Sequence, residues 1–208
     1  MLYKLAQDIS FYLIANKIID IEDRDIYIYG LELLISTLLT SISILILGFF
    51  IGEFISAIVY LLVYFLLKSY TGGYHAKHYY ECFIYSILFY IILVIIRNVT
   101  LAVYQPIFGL ISLISSVIII FEFAPVENKN NPKTKEEIIR NKKIARRRIL
   151  ILSIATILGY IVRVELIDLW FMLAITEFSI AYSILKQRFL ERRKNDEKRK
   201  DKNIREHC

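Results

Sequence analysis

The chain has 208 residues, 57% of them apolar, with a formal net charge of +6 at pH 7 and a mean hydropathy of +0.52. A soluble domain is about 45–50% apolar. Here Ile and Leu come in blocks separated by dense charge, which argues against a single soluble core and for one polytopic membrane domain over residues 1–208.

Residues 2–16 place Leu2, Leu5, Ala6, Ile9, Tyr12 and Leu13 at helical spacing, with Lys4, Gln7 and Asp8 on the other face. That pattern predicts an amphipathic helix, lying in the interface or packed against the protein. No removable signal peptide is expected, because this start lacks a sustained apolar core and a small-residue cleavage site. Charges from Asp20 to Asp25 interrupt the pattern. Leu33 to Gly52 carries no charge, and its length meets the roughly 20 residues needed to span. Gly52-Glu53 turns the chain, and Phe54 to about Tyr70 returns, with Lys68 placed to snorkel. Phe83 to about Tyr104 crosses next, Gln105-Pro106 marks a tight turn, and Ile107 to Ala124 follows. Pro125 opens a polar segment whose second half reads as a basic helix. Ile149 to Val162 and Leu169 to Leu185 supply two further crossings. The tail from Lys186 is charged, a frayed helix or disordered. The expected fold is all-α: a membrane helical bundle of about six transmembrane helices plus the N-terminal amphipathic helix. Four crossings are the alternative, since several spans are short.

Charge distribution orients the layout. With a cytoplasmic N-terminus, six spans put residues 1–32, 68–82, 125–148 and 186–208 on one side, carrying 3, 2, 9 and 10 Lys/Arg. Only Arg97 and Arg163 remain for the other side. Basic loops favour the cytoplasm, so both termini are expected there, in a multi-pass protein of the cell membrane. Arg97 and Glu177 fall inside spans, where unpartnered charge is costly. Both are expected to face the bundle interior, paired with each other as structural groups.

The chemistry-bearing stretch is Lys68-Ser-Tyr-Thr-Gly-Gly-Tyr-His-Ala-Lys-His-Tyr-Tyr-Glu-Cys-Phe83. It holds His75 and His78, two of the three histidines, and Cys82, one of two cysteines; the other, Cys208, reads as an incidental thiol. Two cysteines form no disulfide framework. A thiol close to an imidazole at a membrane edge is a candidate nucleophile with its general base. Cys82 falls at the first turn of a span, where free N–H groups and the helix dipole favour an anion, with Lys77 adding positive charge. The competing reading is a small buried hydrophobe at the start of an apolar helix. His78 is four residues from Cys82 and adjacent on one helical face. His75 is seven away, about 10 Å along a regular helix, and reaches Cys82 only if the segment between is bent or unwound; Gly72-Gly73 supplies freedom to bend on the other side of His75. Geometry slightly favours His78.

Gly72-Gly73-Tyr-His75-Ala, with six residues between His75 and Cys82, resembles the signature of the accessory gene regulator B (AgrB) family, membrane peptidases of bacterial quorum sensing. Ala124-Pro125-Val-Glu-Asn-Lys-Asn-Asn-Pro132 is similar to that family's second hallmark. Length, span order and the basic loop agree over nearly the whole chain. Lys68 stands near a position where the family often has arginine. The resemblance implies that His75 is the base and Cys82 the nucleophile of a cysteine endopeptidase acting on a short precursor peptide. The product would be a cyclic thiolactone or lactone signal. Gly72, Gly73, Lys77 and His78 are candidate substrate contacts beside the dyad. The basic run reads first as an orienting, lipid-touching segment. More sharply, Lys133, Lys135, Arg140, Lys142, Lys143 and Arg146 to Arg148 would gather an acidic C-terminal segment of an AgrD-like precursor. The family resemblance also implies a homodimer. No cofactor, metal or nucleic acid is expected. The alternatives are a channel or exporter, which predicts tolerance of Cys82→Ala, and a metal site on His75, His78 and Cys82, for which no second cluster completes the ligand set.

Overall fold

A computed structural model of the chain describes residues 2–72, 79–126 and 134–206, with side chains for all of these except Tyr79 and 194–206. Seven α-helices appear among the described residues, and no strand. They are α1 (Leu2–Ala15), α2 (Arg24–Phe50), α3 (Phe54–Thr71), α4 (Tyr79–Val99), α5 (Gln105–Phe123), α6 (Lys135–Val162) and α7 (Ile167–Glu206), with 3-10 turns at Ile21–Asp23 and Val164–Leu166. The all-α membrane fold is thus the one expected. Four helical stretches are long and apolar enough to cross a bilayer by themselves: Ile21–Phe50, Phe54–Thr71, Tyr80–Val99 and Gln105–Phe123.

The last two predicted crossings are the arms of one bent pair, Lys135–Val162 with Val164–Arg193, which turns by 119°. The span count is therefore four, or five with the pair taken as one span, rather than about six. The reason is length. The uncharged run before Arg163 covers only 149–162, flanked by Arg146 to Arg148, and the run to Leu185 contains Glu177. Each falls short of the roughly 20 apolar residues a crossing needs.

Helix ends differ from hydropathy boundaries, because hydropathy marks lipid contact while helices run on through charge. α2 begins at Arg24, nine residues before Leu33, and α7 continues through the charged tail to Glu206. Gln105-Pro106 does not form a turn. Proline occupies the first turn of α5, where its missing N–H has no helical partner to lose. Thr134 starts α6 through a capping box: Glu137 N donates to its Oγ1 at 3.2 Å, and Thr134 N donates to Glu137 Oε2 at 2.9 Å.

The chain divides into two compact units. The first comprises residues 1–54 and 76–88. In it α1 packs on α2, burying Ala6 and Ser10, one turn apart, while Leu5, Phe11 and Tyr12 stay exposed. Arg24 lies over the Phe11 ring, 4.9 Å from its centroid. Hydroxyls within α2 return to their own helix: Thr37 donates to Leu33 O, Thr40 to Ser36 O and Ser41 to Thr37 O. That satisfies them where water is absent.

The second unit comprises 55–75 and 89–208. Its core joins Val63 and Leu67 of α3, Ile120 of α5, Ala124 and Val126 just beyond it, Ala145 and Ile149 of α6, and Ile180, Ala181 and Ile184 of α7. Ile114 and Ile118 on α5 and Ile151 and Ile154 on α6 remain exposed, an apolar exterior suited to lipid. Glu177 faces inward as expected, 0% exposed, and accepts from Ser153 Oγ at 2.8 Å. Arg97 is half-buried and donates to Ser56 Oγ at 2.7 Å and to Asn98. Where the sequence leads one to expect these two charges to pair with each other, Glu177 meets Ser153 and Arg97 meets Ser56 and Asn98.

Candidate active site

α4 starts at Tyr79, so Cys82 occupies its first turn, where the leading N–H groups of a helix lack intrahelical acceptors. Cys82 is half-buried and in no disulfide. Its carbonyl accepts from Ser86 Oγ at 3.0 Å, one turn on. Glu81 shares the first turn. Gly73, His75, Lys77, His78 and Lys133 lie outside the described residues. Among the described residues no group of three His, Cys, Asp or Glu is placed to hold a metal.

Gly72 is described, and its geometry is specific. It ends α3 with φ +67°, the left-handed cap that glycine adopts without strain. Its N–H donates to Lys68 O at 3.1 Å. A Cβ at Gly72 would collide with the carbonyl oxygen of Val126. Next to it, Val126 N donates to Thr71 O at 2.9 Å. The glycine end of α3 and the Ala124-Pro125-Val126 segment after α5 are therefore in direct backbone contact. Segments 73–78 and 127–133 are both entered from this junction. The Ala124–Pro125 peptide is cis.

Arginines of α6 and α7 reach backbone carbonyls near the C-terminal ends of α3 and α5. Arg148 Nη1 donates to Leu66 O at 2.8 Å, and its guanidinium lies 4.2 Å from the Tyr70 ring centroid. Arg146 Nη2 donates to Phe121 O at 2.6 Å and sits over the Phe121 ring. Arg188 Nη2 donates to Phe123 O at 3.2 Å. Lys68 Nζ donates to Ser183 Oγ on α7 at 3.2 Å. The basic run is thus split by the structure. Arg146 and Arg148 turn inward onto helix ends, while Lys135, Arg140, Lys142, Lys143 and Arg147 are exposed. The sequence pattern alone groups Arg146 to Arg148 with the substrate-gathering set. No local pattern announces the inward pair, whose partners lie 25 and 82 residues away.

The accessory gene regulator B family model matches residues 6–190. AgrB-like protein 2 of Clostridium perfringens strain 13 is 30% identical over 145 residues, covering 63% of this chain and 66% of that protein. An AgrB-like protein of C. perfringens strain SM101 is 28% identical over 152 residues, 69% of this chain and 70% of its own length. No solved structure matches the chain.

Proposed function

The chain belongs to the accessory gene regulator B family, and from that premise we propose that it is a membrane-embedded cysteine endopeptidase that processes a short precursor peptide into a cyclic quorum-sensing signal. The observation that carries the reading is Cys82 in the first turn of an apolar helix. There the positive end of the helix dipole favours a thiolate.

His75 takes the proton from the Cys82 thiol, and the sulfur attacks a backbone carbonyl of the precursor. The tetrahedral oxyanion is stabilised by hydrogen-bond donors aimed at it, and the positive end of the α4 dipole lies on the same side as Cys82. As the C–N bond breaks, His75 returns the proton to the leaving amine, and the N-terminal part of the peptide stays on Cys82 as a thioester. A cysteine or serine within that part then attacks the thioester carbonyl, closing a thiolactone or lactone ring and regenerating the Cys82 thiol. The exchange between thioesters is nearly isoenergetic, so the site must keep water from the intermediate.

The topology we infer places both termini in the cytoplasm. Four crossings by α2 to α5 bring the chain back to its starting side before the basic segment. The 119° turn between α6 and α7 then reverses its direction again. This keeps 24 of the 26 Lys and Arg on one side, as the positive-inside rule favours. Lys135, Arg140, Lys142 and Lys143, all exposed on the first turns of α6, suit an acidic C-terminal segment of the precursor.

Co-expression with a precursor peptide tests the dyad. Cleavage is expected with wild type and His78→Ala, and lost with Cys82→Ala and His75→Ala. Loss with His78→Ala and retention with His75→Ala would reverse the histidine assignment. Survival of cleavage in Cys82→Ala would end the peptidase reading.

A further inference from the structure

Glu177 on α7 is a carboxyl side chain with no exposed surface, and the two oxygens it carries are treated differently by their surroundings. Ser153 Oγ on α6 donates to Oε2 at 2.8 Å, while Oε1 has no hydrogen-bond partner among the described residues. Thr156, three residues on from Ser153 and on the same buried face of α6, turns its hydroxyl to the same carboxyl. A hydroxyl has one proton to give and two lone pairs to receive with. Where those protons go decides the charge of the site. Ser153 gives its proton to Oε2. Thr156 Oγ1 donates to Leu152 O at 2.9 Å, Thr176 Oγ1 to Met172 O at 2.7 Å and Ser179 Oγ to Thr176 O at 2.7 Å. The Thr156 hydroxyl therefore meets the carboxyl with lone pairs rather than a proton. The charged groups of the neighbouring helices are engaged elsewhere. Arg148, five residues before Ser153 on α6, binds Leu66 O, and Arg146 binds Phe121 O. Lys68 of α3 reaches Ser183, six residues beyond Glu177, and Arg97 of α4 reaches Ser56. Asp168, earlier on α7, accepts from Gln105 of α5, and Tyr160 of α6 sets its hydroxyl against Gly109. The α5 residues buried in the bundle, from Gln105 to Ile120, carry no charge.

We infer that Glu177 is a proton-binding site: held as the neutral acid, it donates from Oε1 to Thr156 Oγ1 while Oε2 accepts from Ser153, a two-way hydrogen bond that joins α6 to α7 without charge. An ionised carboxylate here would be a bare charge in an apolar interior, a penalty well beyond the worth of one hydrogen bond. The proton removes that charge and supplies the donor that the surrounding hydroxyls lack. Apolar faces packed in a membrane have little to hold them in one register, and a matched donor and acceptor across two helices supplies it. The inference stands apart from the peptidase reading, since neither Cys82 nor a histidine takes part.

The test is infrared difference spectroscopy on the full-length protein in lipid nanodiscs at neutral pH, wild type against Glu177→Gln. Wild type is expected to show a carboxylic-acid C=O band that Glu177→Gln lacks. Thr156→Val takes the acceptor from the acid O–H, and Ser153→Ala takes the donor from its C=O, so each should move that band to higher wavenumber. Unfolding of the same proteins in mixed micelles reads the bridge separately. Thr156→Val should raise the unfolding equilibrium constant about two- to tenfold in wild type, and by less than about twofold in a Glu177→Met background. Replacing sodium by choline should leave the wild-type midpoint where it is. If Glu177→Gln fails to insert, the band shifts caused by Thr156→Val and Ser153→Ala carry the test. No acid band lost in Glu177→Gln, a band that neither hydroxyl change moves, or an equal cost of Thr156→Val in both backgrounds would each overturn the inference. So would a wild-type midpoint that falls in choline while that of Glu177→Gln does not, which would assign the site to a metal cation in place of a proton.

Discussion

Replacing Gly72 by alanine should unfold the junction, and the size of the effect follows from its surroundings. At φ +67° an L-residue sits in the left-handed region, at a cost of about 1–2 kcal/mol. The new methyl would also strike Val126 O, so the Thr71–Val126 hydrogen bond must open. That adds about 0.5–1.5 kcal/mol, for a total of about 1.5–3.5 kcal/mol. Gly52 provides a matched control. It has φ +77° with nothing within 4 Å of a built Cβ, so Gly52→Ala carries only the backbone cost, about 1–2 kcal/mol. Gly30, within α2 and also in open space, should accept alanine with a gain of about 0.5–1 kcal/mol. Equilibrium unfolding in mixed micelles, followed by circular dichroism, gives all three values under one condition. Equal destabilisation by Gly72→Ala and Gly52→Ala would refute the argument that Val126 presses on Gly72.

Removing the α6 cap with Thr134→Ala should cost about 1 kcal/mol in the same unfolding assay. An unchanged midpoint would mean that α6 is started by its packing alone. Ser153→Ala should cost about 1–3 kcal/mol by stripping the donor from Glu177 Oε2. In a Glu177→Met background the same change should cost close to nothing, and a double-mutant cycle without coupling would refute the pairing. Substituting Lys135, Arg140, Lys142 and Lys143 together by glutamine should raise KM at low salt, flatten its salt dependence and leave kcat unchanged. Screening acts over a Debye length of about 10 Å at 0.1 M salt. A salt dependence equal to that of wild type would locate the acidic segment elsewhere.

Hydropathy and spacing revealed the helices that face lipid, because lipid contact is a local property of each run. The α1 periodicity, the four apolar crossings and the basic start of α6 all followed from residues near one another in sequence. What stayed hidden was tertiary. Glu177 was expected inside the bundle, but its partner came from Ser153 on α6 and not from Arg97. Glycines at 72 and 73 suggested freedom to bend, whereas Gly72 is held by Val126 from a segment more than fifty residues away. Arg146 and Arg148 read as surface charge within a basic run. Their inward roles depend on carbonyls of α3 and α5 that only tertiary packing brings beside α6. The assignment of His75 over His78 drew on the family resemblance, since both residues fall outside the described structure.

The central claim is that a peptide acyl group passes through the sulfur of Cys82, and trapping that species tests it most directly. Wild-type protein incubated with a precursor whose ring-closing cysteine or serine is replaced by alanine should accumulate a covalent adduct. Mass spectrometry should locate it on the Cys82 peptide, with the mass of the N-terminal fragment, and hydroxylamine should release it. Full precursor cleavage with no adduct on Cys82, or an adduct that persists in Cys82→Ala, would contradict the account.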